Sequence, residues 1–284
     1  MSFCCAHFPG MPNAATLSPL PTYYLSHGGG PWPWMETGTA YDVLDASLKA
    51  LRAELKERPR AVLVVTAHWE EAQFTFSSAA QPGMIYDYYG FPPHTYEIQY
   101  PAPGLPALAE QAAALLADGG MGSALDPARG FDHGTFSLMQ AIWPEAQMPI
   151  VQMSIRADYD PAAHVEAGRL LAPLRKEGVV IIGSGLSFHN LRALGPAGRD
   201  VSLAFDGWLQ ESLIGMGGED RTARLLDWER APAARAVHPR EDHLMPLHVA
   251  LGAAEGEAAS LSYHEDAFMG AIAASSFRFG AEPA

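Results

Sequence analysis

The sequence predicts an α/β fold, a sheet with helices on both sides, and three observations predict it. Short Val- and Ile-rich runs alternate with segments of helical periodicity along most of the chain. Two of those runs, "AVLVV" from Ala61 and "VVII" from Val179, are apolar at every position, as strands buried on both faces are. The 284 residues include no internal repeat and no linker, which suits one large domain.

The elements follow in order. Residues 1–20 are rich in Pro, Ala and Ser and are expected to be a flexible leader, with a single domain over 21–284. "TYYLSH" from Thr22 reads as a strand. "YDVLDASLKALRAELKERPR" places Val43, Leu44, Leu48, Leu51 and Leu55 at helical spacing. "AVLVVTAHW" is a buried strand. "YDYYGFPPHTYEIQYPAPG" from Tyr86 is aromatic and Pro-rich and reads as a long loop over the sheet, and long structured loops often carry function. "PALAEQAAALLADGG" is a helix stopped by glycine. "MPIVQMSI" is a strand. "DPAAHVEAGRLLAPLRKEG" is a helix capped by Asp160 with Pro161 in its first turn, with His164 expected to face solvent. "VVIIGSG" is another strand and "SLAFDGWLQESLIGM" a helix. "HLMPLHVALGAAEG" begins as a loop and continues as a helix.

Composition excludes several classes. A formal net charge of −14 repels phosphate backbones, so nucleic acid is not an expected partner. No apolar run spans a bilayer, and the first ten residues lack the pattern of a secretory signal, so the expected location is the cytoplasm, away from membranes. The only two cysteines, Cys4 and Cys5, are adjacent and can neither staple a fold nor build a thiolate zinc site. Any metal must use His and carboxylate.

The eleven histidines then carry the argument. His27, His68 and His189 each fall at or just past a predicted strand end, where open α/β sheets collect ligands. His133 stands in a turn before a helix. His238, His243 and His248 crowd one segment with Glu241 and Asp242. Two neutral imidazoles and one carboxylate make the facial triad of non-haem Fe(II) oxygenases, and His27, His68 and Glu241 could supply it. A zinc hydrolase could use the same set with an activated water, and spacing does not separate the two. "HGGG" matches an esterase oxyanion loop, but no G-x-S-x-G elbow follows, and there is no P-loop or G-x-G-x-x-G.

Six ordered blocks, "SHGGGPW", "VVTAHW", "YPAPG", "GFDHGTF", "GSGLSFHNLR" and "HPREDHLMPLHVALGAA", resemble the class III extradiol ring-cleavage dioxygenases, in the branch that holds the 4,5-DOPA dioxygenases. The resemblance runs from about Thr22 to Phe277. It implies a single α/β domain with a mixed central sheet, and an enzyme that opens a catechol ring with O2 at a mononuclear Fe(II) site. Zn(II) is the alternative occupant after purification. By the same resemblance His27 and His68 match metal ligands, Glu241 the expected carboxylate ligand, and His243 a further candidate ligand. His189 matches the acid/base and His133 a substrate-contacting or supporting histidine. The first block departs from the family pattern of histidine, glycine, serine and proline, since three glycines precede Pro31.

The ring itself needs flat walls. Trp32 of "PWPW" and Tyr89 of "YDYYGF" are the expected aromatics, with His94 beside them, and Arg192 could pair with a substrate carboxylate. The glycines after His27 are expected to let backbone approach the site closely. The catechol's identity, the regiochemistry, and monomer against homodimer stay open, and so does a non-catalytic relative that binds protein.

Overall fold

The computed structural model describes residues 18–55 and 59–281. Cys4, Cys5, His7 and most of the expected leader lie outside them. One sheet of eight strands, in the order β4-β3-β5-β2-β6-β1-β8-β7, organises the molecule as a single mixed α/β domain. The strands are β1 (Thr22–Ser26), β2 (Ala61–Glu71), β3 (Phe74–Ser77), β4 (Ser123–Asp126), β5 (Ile150–Arg156), β6 (Val179–Gly185), β7 (Ala259–Phe268) and β8 (Ile272–Phe279). The four central strands, β5, β2, β6 and β1, are mutually parallel. Antiparallel pairs close both flanks, β3 on β5 and β8 on β1. Residues Ala61 to Val65 of β2 are wholly buried, which is why that run needed apolar, β-branched side chains throughout.

The helices are α1 (Asp42–Glu54), α2 (Pro106–Asp118), α3 (His133–Ile142), α4 (Pro161–Leu171), α5 (Arg199–Ile214), α6 (Gly218–Leu226), α7 (Ala234–Val237) and α8 (Met245–Gly252). Side chains alternate across a strand, and β6 shows which helix covers which face. Ser184 donates to the carbonyl of Gly134 in α3. Its neighbours Gly183 and Gly185 face the other way, toward Pro246 of α8 and the His243 carbonyl. So α3 and α8 sandwich the central strands.

Small residues make that second face close. A Cβ on Gly183 would stand 2.3 Å from the Pro246 carbonyl oxygen, and one on Gly185 would stand 2.2 Å from that of His243. Helices α4 and α8 likewise touch backbone to backbone, since a Cβ on Gly252 would meet the Val165 carbonyl oxygen at 2.0 Å.

The sequence reading needs three corrections here. Val43 is 49% exposed, because the buried stripe of α1 runs through Leu44, Leu48 and Leu51. His164 is buried, not solvent-facing: Nε2 accepts from the Arg156 amide at 3.2 Å and Nδ1 donates to the Asp160 carbonyl at 2.7 Å. The C-terminal hairpin of β7 and β8, with the short β3 and β4, lies in segments that periodicity left without an element. Among the described residues no helix is long and apolar enough to cross a membrane.

Candidate active site

Each histidine of the site is delivered by the carboxyl end of a parallel strand, by a loop packed on one, or, for His133, by the first turn of α3. His27 follows the last residue of β1, and its amide donates to the Gly185 carbonyl across the sheet at 3.1 Å. His68 lies near the end of β2. His189 follows β6, its amide donating to the Val237 carbonyl at 3.1 Å. His133 opens α3, whose cap Asp132 accepts from the Thr135 amide. His243 stands in the loop before α8, and the hydroxyl of buried Tyr24 donates to its carbonyl at 2.7 Å.

These five rings meet. His68 Nε2 is 3.2 Å from His27 Nε2 and 3.2 Å from His243 Nε2. The His68 and His133 ring centroids are 4.0 Å apart, and the His189 and His243 rings stack at 3.3 Å. The outer nitrogens face one hydroxyl and two shared carboxylates. Ser184 Oγ spends its proton on the Gly134 carbonyl, so at 3.0 Å it accepts from His27 Nδ1. Asp87 accepts from His133 Nδ1 at 2.9 Å and pairs with His68 Nδ1 at 3.1 Å. Asp242 Oδ1 lies 3.1 Å from His243 Nδ1 and 3.6 Å from His189 Nδ1. With protons on the outer nitrogens, the inner lone pairs of His27, His68 and His243 would lie together, His68 Nε2 standing 3.2 Å from each of the other two Nε2 atoms.

Burial keeps most of these rings neutral. It drives the pKa of His27 and of His243 well below the ordinary imidazole value, and the neighbouring rings add to the effect. Burial also lowers His133, with His68 second, against the pull of Asp87. For His68 burial acts the same way, but Asp87 outweighs it and the pKa is raised. Asp87 and Asp242 both sit well below the usual carboxylate range: burial opposes the charge, and the imidazoles beside each overcome it.

The donor set fits a metal ion. Two nitrogens bound to one ion at about 2.1 Å in near-tetrahedral geometry stand about 3.4 Å apart. That is close to the 3.2 Å that separates His68 Nε2 from His27 Nε2 and from His243 Nε2. Imidazoles whose far N–H is held by carboxylate or hydroxyl are typical of metal sites.

Glu241, the expected carboxylate ligand, stands apart from the histidines. It is not part of this cluster, because both its oxygens accept from Arg235, at 2.6 and 3.2 Å. The carboxylate beside the histidines is its neighbour Asp242. Trp32 also stands elsewhere: it is buried, stacked on Tyr41 at 4.8 Å, and its indole N–H donates to the His27 carbonyl at 2.8 Å. The glycines serve that packing. Gly28 and Gly30 have φ of +74° and +54°, and a Cβ on either would strike Trp32 or Phe91.

Tyr89 is 91% exposed, whereas Tyr88 brings its ring to 5.9 Å from His133. His94 is exposed and faces the Trp34 carbonyl at 3.3 Å. Arg192 is exposed, on a short turn past His189. His248 packs between the carbonyls of Leu244 and Leu225.

Asp87, Ser184, Asp242 and Tyr24 were not singled out by sequence reasoning. Asp242 had a signal, its place between Glu241 and His243. Asp87 sat inside a motif noticed for its aromatics. Nothing local marks Ser184 or Tyr24, whose partners are distant in the chain.

A ring of imidazoles at the carboxyl ends of parallel strands, with groups that could hold a metal ion, is the arrangement of an α/β enzyme that works with a metal. Residues 13–277 match the catalytic LigB subunit of aromatic ring-opening dioxygenase; the chain belongs to that family and is an extradiol dioxygenase. It is 39% identical over 269 residues to the dioxygenase tasH of Hapsidospora irregularis, covering 88% of this chain and 82% of that protein. It is 35% identical to the 4,5-DOPA dioxygenase extradiol of Beta vulgaris, over 91% and 96% of the two chains. The protein of that name from Escherichia coli K12 is 33% identical, over 92% and 95%. Among solved structures, an uncharacterized protein from Escherichia coli K12 superposes with a TM-score of 0.75 at 29% identity, covering 92% of this chain and all of that one.

Proposed function

We propose that the chain is a non-haem Fe(II)-dependent dioxygenase that opens a catechol ring with O2, with 4,5-cleavage of DOPA or a related catechol as its reaction. The observation that carries the reading is the convergence of His27, His68 and His243 Nε2, with the two His68 contacts at 3.2 Å. These three would hold the ion. Catechol is closed-shell and dioxygen a triplet, and ferrous iron supplies the shared site through which an electron can pass between them, as redox-inert zinc does not.

The remaining residues do proton and positioning work. His189 is 19% exposed at its side chain and stacks on His243, so it reaches both solvent and the centre. Its Nε2 would take a catechol hydroxyl proton and return one as the ring opens, with Asp242 close to its Nδ1. His133 is neutral and spends Nδ1 on Asp87, so it offers Nε2 as an acceptor. It would orient the second hydroxyl by accepting from it. Tyr88 would give the ring a flat neighbour.

The relatives named for 4,5-DOPA cleavage support the substrate class. The test is an oxygen-uptake assay on anaerobically purified protein loaded with Fe(II) and supplied with catechols. A yellow ring-opened product is expected with DOPA or a close analogue. His189→Ala should lower kcat by about 10²- to 10⁴-fold with iron still bound. Oxygen-independent hydrolysis by the zinc form, or no oxygen consumption with any catechol, sinks the reading.

A further inference from the structure

The loop between β3 and α2 forms a strap over the site. Its residues 83–85 pair with Phe131: the Ile85 amide donates to the Phe131 carbonyl at 2.8 Å, and the Phe131 amide to that of Gly83 at 2.8 Å. Tyr86 and Tyr88 follow, and both rings pack against Phe136 of α3. Between them stands Asp87. Its Oδ1 accepts from the His133 amide at 3.0 Å and from His133 Nδ1 at 2.9 Å, and its Oδ2 lies 3.1 Å from His68 Nδ1.

We propose that Asp87 is a positioning residue that ties this aromatic strap to the metal centre by fixing His68 and His133 together. The proposal rests on the metal reading above. A carboxylate only accepts hydrogen bonds, so both rings must carry a proton on Nδ1. Both Nε2 lone pairs are thereby aimed inward, one at the ion and one at the substrate. An amide cannot do this, because one of its two ends donates. With a cation on His68 Nε2, the Nδ1–H is polarised and its bond to Asp87 tightens. Linkage makes the effect reciprocal: an ordered strap raises metal affinity, and metal orders the strap. The wall that meets the aromatic ring is then set by the same carboxylate that orients a metal ligand.

The experiment uses Co(II) and Zn(II) as probes on the wild-type chain, Asp87→Asn and Asp87→Ala. Cobalt affinity is expected to fall about 10- to 100-fold in both variants, with a changed visible d–d spectrum in Asp87→Asn. Zinc should slow amide hydrogen exchange across residues 83–91 in the wild type and not in Asp87→Asn. In the zinc-loaded wild type, ¹⁵N spectra of the histidine rings should show Nδ1–H on both His68 and His133. That last measurement needs no variant and decides the matter if the substitutions fail to fold. Wild-type affinity and spectrum in Asp87→Asn, or an Nε2–H ring at either position, overturn the proposal while leaving the metal site standing. A wild-type chain that takes up neither cobalt nor zinc overturns the metal reading, and this coupling with it.

Discussion

At the scale of single residues, adjacent acids have unlike roles because of what lies beside each. Glu241 is held by Arg235, outside the cluster, while Asp242 faces two imidazoles. Glu241→Gln should therefore leave zinc affinity within about threefold and cost at most about 1 kcal/mol of stability, the worth of a partly exposed ion pair. His243→Ala removes one of the converging nitrogens and should lower zinc affinity by at least about 100-fold, as read by chelator competition. Equal losses in the two variants would put Glu241 back among the ligands. Nothing in the sequence separates the two acids, because the choice depends on where Arg235 falls, six residues back on another element.

At the scale of elements, close packing decides what a glycine is for. The "GSG" at the end of β6 reads in the sequence simply as part of a strand, and its glycines let the His243 loop and α8 lie directly on the sheet. Gly185→Ala would put a methyl 2.2 Å from the His243 carbonyl oxygen. We expect a stability loss of about 1–3 kcal/mol and weaker zinc binding, because the displaced backbone carries His243, one of the proposed ligands. Gly207, inside α5, has open space where a Cβ would stand, with nothing within 4 Å. Gly207→Ala should instead stabilise by about 0.5–1 kcal/mol in urea unfolding, from helix propensity alone. The strand and helix reading succeeded for β1, β2, β5 and β6, where nearly every position is buried and the pattern is simple. It passed over β7, where exposed and buried positions do not alternate cleanly and the register shifts twice against β8.

For the whole molecule, buried histidines set the pH response. Burial lowers His164 to about 4 and His238 to about 3. In the unfolded chain both titrate near 6.5. Below that pH the unfolded state binds protons that the native state refuses, so stability falls as pH falls, and the loss levels off only below each folded pKa. Each group should remove about 2 kcal/mol between pH 7 and pH 5. His27 and His243 act in the same direction in the metal-free chain. Urea unfolding in chelator at the two pH values measures the slope, and His164→Gln should reduce it. A flat profile would mean that these rings are already charged in the folded protein.

The sequence by itself determined the α/β class, most of the buried strands, and the histidines that gather at the site. Those features are local: strand periodicity, β-branched runs and a titratable side chain where a strand ends. It also carried the family, through six blocks in a fixed order. Only the tertiary structure decided which carboxylate stands by the ring of imidazoles, that Trp32 supports the His27 backbone, and that Tyr88 rather than Tyr89 faces His133. Each of those depends on which groups share a few ångströms of space once the chain is folded, and folding alone brings His27, His68 and His243 together from three distant parts of the chain.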